Sequence, residues 1–514
     1  MPDSKNGSLS SALPNVYAVH GAEPEVQAYA MAKYSRSALS MKESLKEINE
    51  QKAEKFLNTF YFQYGHRSIA DLAHIALAIE KLSILAAIVL VDEQRWDGQE
   101  RSTRYQDFKK SGYYTPDFAE DGQARQLYRD TIDFVFSEYE QFSELMWRYL
   151  AERTPKPDDM KPEAYERTLR ARAFDISRYL LPLATNTSLG QIVNARTLES
   201  QISRLLSHTH AEVRALGELL KQAAREPAYN VNQASWSELV DQIRKLNPEA
   251  GSRAESILLK EVRVSPTLVK YANTSEYALN TRRELEQAAR DLMKNAAIDD
   301  AKPVELLKDE PLDVELVTTL LYEHSHYPYR QLREQVESLT SKQREEIVDL
   351  GVKHRGRHDE LSRAYCSGQR FRFDILMDVG GFRDMHRHRR CVQIMQPFAG
   401  TLHGYDLPEE VVAAGLAKRY ESVMQRVREA ERHFGDDANA SHYIAPLAFR
   451  CRTLFKMDFA EALYISELRT TPAGHFSYRN VAYAMYEAVA GRYPALAAYF
   501  RVNDVRDPVD LLKR

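Results

Sequence analysis

"RYLLPLA", from Arg178 to Ala184, and "HYIAPLA", from His442 to Ala448, decide how this chain is organised. From Pro182 and Pro446 the two halves run in step to Asn194 and Asp458, at one offset of 264 (446 − 182 and 458 − 194). Further pairs occur in the same order. "GHRSIADLA" from Gly65 answers "GRHDELSRA" from Gly356, and "HTHAEVR" ending at Arg214 answers "GHFSYR" ending at Arg479. Self-similarity at a long period marks a repeated structural unit, and the shared order predicts a diverged duplication. The polar stretch 230–256, with the turn signal Asn247-Pro248, reads as a connector. The expected organisation is a tail at 1–14, a first repeat at 15–229, the connector at 230–256 and a second repeat at 257–514.

A chain of 514 residues is too long for one ordinary core, which agrees with two units. Its 44% hydrophobic and 28% charged residues are those of a globular protein. The formal net charge of −4 provides no overall field for nucleic acid, so any anion site must be local. Cys366, Cys391 and Cys451 lack CxxC spacing, and neither a zinc cluster nor a disulfide scaffold is expected. The longest apolar stretch, "LSILAAIVLV" from Leu82 to Val91, is half a membrane span and predicts a buried helix. With no leader pattern in "MPDSKNGSLSSALP", the expectation is a cytoplasmic protein with no membrane and no nucleic-acid partner.

Helical periodicity dominates, as in "EEVVAAGLAKRYESVMQRVREAERHF" from Glu409 to Phe434. Short β-rich pieces such as "KEVRVSPTLVKYA", Lys260 to Ala272, add a modest sheet. The fold class expected is therefore α/β (α+β): two diverged repeats, each a sheet flanked by helices.

Two stretches carry chemistry. "GFRDMHRHRRCVQIM", Gly381 to Met395, would place Arg383, Arg387 and Arg390 on one face if 383–390 were helical. Such a face suits phosphate, because each planar guanidinium can donate two hydrogen bonds to oxygens. A solvated basic surface or a nucleic-acid patch is the other reading, although the apolar flanks put the run at the edge of a core. In the first half, "VDEQRWDGQERSTRYQDF" alternates Glu100, Ser102 and Arg104, which an extended backbone would point the same way. That would make a wall for a polar ligand; alone it could equally be an ordinary loop.

Arg387-His388-Arg389, the E-x-S-x-R-Y run from Glu100 to Tyr105, Gly65-His66, R-x-x-L-P from Arg178 and N-A-R-x-L from Asn194 together resemble flavin-dependent thymidylate synthases. The likeness covers about residues 20 to 225 and again about 260 to 495. It implies subunits about half this length in a homotetramer, with sites between subunits that use FAD, NADPH and methylenetetrahydrofolate to methylate dUMP. The two halves depart from the family pattern in opposite ways. The first keeps "ERSTRY", Arg178, Asn194 and Arg196 but has Asp92-Glu93-Gln94 in place of R-H-R. The second keeps Arg387-His388-Arg389 and Arg469, but has "MQPFAG" in place of E-x-S-x-R-Y and His442 in place of Arg178.

Complementary losses of this kind are expected of a fused pseudo-dimer whose site lies between its repeats. By the resemblance, one composite site takes Glu100, Ser102, Arg104 and Arg178 from the first half, and Arg387 and Arg469 from the second, for substrate. Arg104 and Arg178 would neutralise the nucleotide phosphate, and Arg469 with Arg387 would serve catalysis. His66, Arg387, His388, Arg389, Asn194 and Arg196 would contact the flavin, with His358 as the counterpart of His66. Two chains would pair as a homodimer to recreate a four-unit assembly. The reciprocal site, with "DEQ" facing "MQPFAG" and His442, would be dead.

Structural readings stay open beside these. Arg178 could cap a helix or pair with Asp175, Arg469 could pair with Glu467 or an interface acid, and Asn194 with Arg196 could brace a loop. Asp384 stands where the family places glutamine and would repel a phosphate unless an arginine neutralises it. A catalytically inactive or repurposed nucleotide- or flavin-binding homologue, methylation of another uracil nucleotide, and nucleic-acid binding through "HRHRR" are the alternatives.

Overall fold

The computed structural model describes residues 19, 21–33, 41–47, 53, 54, 57, 67–356, 359, 361–435 and 438–512. They fall into two compact units. The first comprises Met1–Ile75, Asn194–Arg196 and Gln222–Lys270; the second comprises Ala76–Val193, Thr197–Lys221 and Tyr271–Arg514.

In the first unit, the helix Pro24–Lys33 buries Glu25 in its first turn. That carboxylate accepts hydrogen bonds from the backbone amides of Thr267 at 2.9 Å and Leu268 at 2.7 Å. Here the structure corrects the expected β-rich piece at 260–272, which is bend and turn with one isolated bridge, Pro227 to Arg263. Pro266 has no amide to give a ladder, and the next two amides are taken by Glu25. The connector is helical. Gln233–Leu246 and Pro248–Leu258 form a hairpin turned at Asn247, whose side chain accepts from Glu249 and Ala250.

The second unit is built on two sheets. Strands β1 (His74–Ser83), β2 (Asp97–Glu100) and β3 (Asn186–Asn194) lie in the order β1-β3-β2. Strands β4 (Val304–Leu306), β5 (Phe371–Asp378), β6 (Val392–Met395) and β7 (Arg450–Met457) lie in the order β4-β5-β7-β6. β1-β3-β2 and β5-β7-β6 are thus the same arrangement, with β4 added to the second. The apolar stretch after β1 is the expected helix, Ile84–Leu90, buried at every position. Its counterpart after β5 is Val379–Met385.

The hydrogen bonds repeat as well. Ile84 and Leu85 donate their amides to the carbonyls of Thr185 and Leu183, while Val379 and Gly380 donate to Phe449 and Leu447. Ser83 caps the first helix and donates to Glu212 at 2.6 Å; Asp378 caps the second and accepts from Ser477. Acid and hydroxyl have exchanged places between the copies.

"RYLLPLA" and "HYIAPLA" meet each other. Pro182 pairs antiparallel with Pro446, Leu183 donates to Ala445 at 2.9 Å, and Leu447 donates to Leu181 at 2.9 Å. Ala184 donates to Tyr443 at 2.8 Å and Ala448 to Tyr179 at 3.1 Å. When each residue pairs with its own equivalent, the two segments are related by an approximate twofold axis through the pair. The helix expected over Glu409–Phe434 is interrupted: Gly415, at φ +72°, separates Glu409–Ala413 from Ala417–Phe434. Glycine takes that left-handed conformation without the steric cost other residues meet.

Candidate active site

The basic run is not one helical face. The helix Val379–Met385 carries Arg383 and ends before Arg387, and the chain then turns, so Arg383, Arg387 and Arg390 do not share one face. Arg383 ion-pairs with Glu100, and Arg390 bonds Asp458 at 2.8 Å. Arg387 is exposed and makes no hydrogen bond or ion pair among the described residues. The alternation of Glu100, Ser102 and Arg104 also ends early, because β2 stops at Glu100 and 103–105 turn. Ser102 then uses its hydroxyl to accept from the Arg104 amide at 3.2 Å, and no base touches it.

What the turn achieves is burial of Arg104. Its Nε donates to Asp175 at 2.7 Å, and its Nη1 and Nη2 donate to the Tyr478 hydroxyl at 3.0 Å and the Ala473 carbonyl at 3.2 Å. Tyr478 has a second cation beside it, since the Arg469 guanidinium lies 5.4 Å from its ring centroid. Arg178, 2% exposed, does not take Asp175; it donates both Nη groups to one oxygen of Asp384, at 3.3 and 3.4 Å. Its Nε, also buried, has no hydrogen-bond partner among the described residues. Burial pushes the Asp384 carboxyl up, but Arg178, Arg104, Arg387 and Arg469 together hold it below its ordinary value. Arg178 meets this carboxylate directly, and Arg104, Arg387 and Arg469, with it two from each half, act on it through their charge.

Arg469 does not take Glu467; its Nε donates to His388 Nε2 at 2.8 Å. An arginine has no acceptor to offer, so that imidazole nitrogen carries no proton. The proton sits on Nδ1, which faces Glu461 at 3.5 Å. Burial, ahead of Arg469 and Arg389, keeps His388 neutral. Arg389 lies over the Trp96 ring at 5.1 Å.

His386 is buried, with Nδ1 2.8 Å from the Gln393 amide oxygen and Nε2 3.5 Å from Asp92. Burial moves it from the ordinary 6.5 down to about 4. The unfolded chain thus takes up a proton near pH 6.5 that the folded chain refuses until about pH 4. Its contribution to stability is complete above pH 6.5 and is lost as pH falls through 4. Thermal midpoints should fall across that window, and His386→Asn, which cannot take up a proton, should make the fall shallower.

The twofold-related place is different. Arg204 holds Glu93 at 2.7 Å, as Arg469 holds His388, and Arg363 holds Asp92. His442 bonds His210 at 3.2 Å, with Phe398 of "MQPFAG" 6.1 Å away. The thiols of Cys391 and Cys451 are buried, and burial holds both protonated, that of Cys391 up to about 12. Asn194 and Arg196 lie in the first unit, where Arg196 bonds Asp71 at 3.5 Å. His66 and His358 fall outside the described residues.

Comparison with known families assigns the chain. The Thy1 model, thymidylate synthase complementing protein, matches residues 17–228 and again 306–495. The chain belongs to the Thy1 family. Along the Thy1 chain a UPF0159 protein of Chlamydia pneumoniae is 28% identical, over 98% of this chain and 94% of that protein. A flavin-dependent thymidylate synthase of Clostridium tetani is 25% identical over 42% of this chain and 84% of its own. Among solved structures, the UMP/dUMP methylase PolB of Streptomyces cacaoi, bound with 5-Br dUMP, is 17% identical over 39% of this chain and 84% of that one, at a TM-score of 0.28.

For a flavin nucleotide this Thy1 chain offers Arg387 and Arg389, neither with an ion pair among the described residues, and Arg389 lies over the aromatic face of Trp96. Such a donor set fits a phosphate-bearing aromatic group. Tyr478, Glu461 and Trp96 were not singled out from the sequence, and Asp175 was named only as a possible partner of Arg178. Tyr478 had a signal: it lies inside the repeated "GHFSYR", where the first half has Val213.

Proposed function

We propose that this chain methylates C5 of a uracil nucleotide, dUMP in the first instance, with FAD as cofactor and NADPH and methylenetetrahydrofolate as co-substrates. One composite site between a first repeat at 15–229 and a second at 257–514 carries the reaction. The observation behind this reading is that Arg178 of the first half meets Asp384 of the second while Arg104 and Arg469 share Tyr478, in a chain that matches the family twice. Arg104 and Arg178 take the phosphate by charge-assisted hydrogen bonds, with Glu100 and Ser102 fixing the loop that carries Arg104. Arg469, oriented by neutral His388, stabilises negative charge on the uracil ring as C5 becomes nucleophilic. Arg387, His388 and Arg389 hold the flavin. FAD, when bound, supplies the redox chemistry that completes the one-carbon transfer. Two chains pair as a homodimer.

A second reading, a nucleotide- or flavin-binding protein without turnover, is favoured by one observation: Asp384 already occupies Arg178. Tritium release from uracil-5-tritiated dUMP, with FAD, NADPH and methylenetetrahydrofolate, separates the two. Release with formation of dTMP supports the synthase. Flavin retained without release in any uracil nucleotide supports the binding protein.

A further inference from the structure

We infer that Asp384 is an internal anion that sets the affinity of the arginine cluster for phosphate, so that a phosphate-bearing ligand binds by displacing it from Arg178. The inference rests on the nucleotide reading above and names the residue that tunes it.

Three features of the contact lead here. First, both Nη groups of Arg178 reach a single Asp384 oxygen at 3.3 and 3.4 Å, beyond the usual range for an N–H···O bond and far from a bidentate fork. Second, the surrounding cations are underused. Arg178 Nε is buried without a partner, and Arg387 has neither hydrogen bond nor ion pair among the described residues. Four guanidiniums face two carboxylates, Asp384 and Asp175, and only Asp175 is held closely, by Arg104 at 2.7 Å. The cluster therefore retains positive charge after its own acids are counted. Third, Asp384 lies in the last turn of Val379–Met385, where the carbonyl end of a helix disfavours a carboxylate. Its setting is favourable only because of the arginines. A carboxylate with a poor local site and long bonds is one that a better anion can replace.

A phosphate offers more oxygens than Asp384 and can meet Arg178 and Arg387 together. Bringing it in sets like charges against each other until Asp384 gives way, which lowers affinity relative to a neutral side chain. Asparagine at 384 keeps an oxygen for Arg178 and removes the charge. Glutamate keeps the charge on a longer arm.

Calorimetric titration of dUMP and deoxyuridine into wild type, Asp384→Asn and Asp384→Glu tests this, with inorganic phosphate as a probe of the cluster alone. Asp384→Asn should bind dUMP about tenfold tighter, with deoxyuridine unchanged and Asp384→Glu close to wild type. Equal or weaker dUMP binding by Asp384→Asn overturns the inference and leaves the nucleotide reading standing. If no protein binds dUMP, the nucleotide reading fails. In that case inorganic phosphate should still raise the thermal midpoint of Asp384→Asn more than that of wild type; no such difference overturns the inference as well.

Discussion

Arg469→Ala is expected to fold as wild type does and to release tritium from uracil-5-tritiated dUMP about 10²–10³-fold more slowly, the usual loss when one preorganised donor is removed. The fold should survive because of where the residue sits. Arg469 ends the helix Phe459–Arg469, is only half-buried, and among the described residues its guanidinium is bonded to a single partner, His388. His388 stays in place through Glu461 and the Tyr464 ring, 5.8 Å from its own. Catalysis should suffer because the cation is held at a fixed angle by a neutral imidazole, so it needs little reorganisation as charge develops. Arg469→Lys tests the angle: lysine restores the charge but not the planar fork, and recovery should be partial. Wild-type release rates in Arg469→Ala would remove this residue from the reaction. A lowered thermal midpoint would assign it to the fold.

Arg178→Met is expected to lower stability by about 3 kcal/mol, because removing one partner of a buried pair strands the other charge. Arg178 is 3% exposed at its side chain and Asp384 14%. The figure stands at the low end of the range because Asp384 keeps Arg104, Arg387 and Arg469 nearby. Arg178→Met/Asp384→Leu should recover most of the loss, since two apolar groups leave no charge buried. Urea unfolding of the two single variants and the double variant measures the coupling. A loss unchanged in the double variant would mean that the pair is not what holds this segment. Arg178→Met and the double variant should both bind dUMP poorly, because both lose a phosphate donor.

The duplication was legible in the sequence because equivalent residues at an approximate twofold axis must pair with each other. "RYLLPLA" and "HYIAPLA" kept Pro182 and Pro446 for that reason. The helix Ile84–Leu90 was legible too, since an apolar run too short for a membrane has only the core to enter. The complementary motif losses were readable along the chain without coordinates.

Other features had no local signature. The run Arg383 to Arg390 reads as a helical face, yet its arginines bond Glu100 and Asp458 in different directions, and each partner is distant in the chain. Lys260 to Ala272 reads as strand, yet the amides of Thr267 and Leu268 are taken by Glu25, more than 240 positions away. By itself, then, the sequence determined that the chain is a duplicated member of its family with its motifs divided between two halves. Only the tertiary structure decided that Arg178 meets Asp384, 206 positions away, and that Arg104 takes Asp175. The reason is physical: apolar periodicity and turn chemistry are local and survive in the one-dimensional pattern. The partner of a buried charge is chosen by which carboxylate the fold brings within reach.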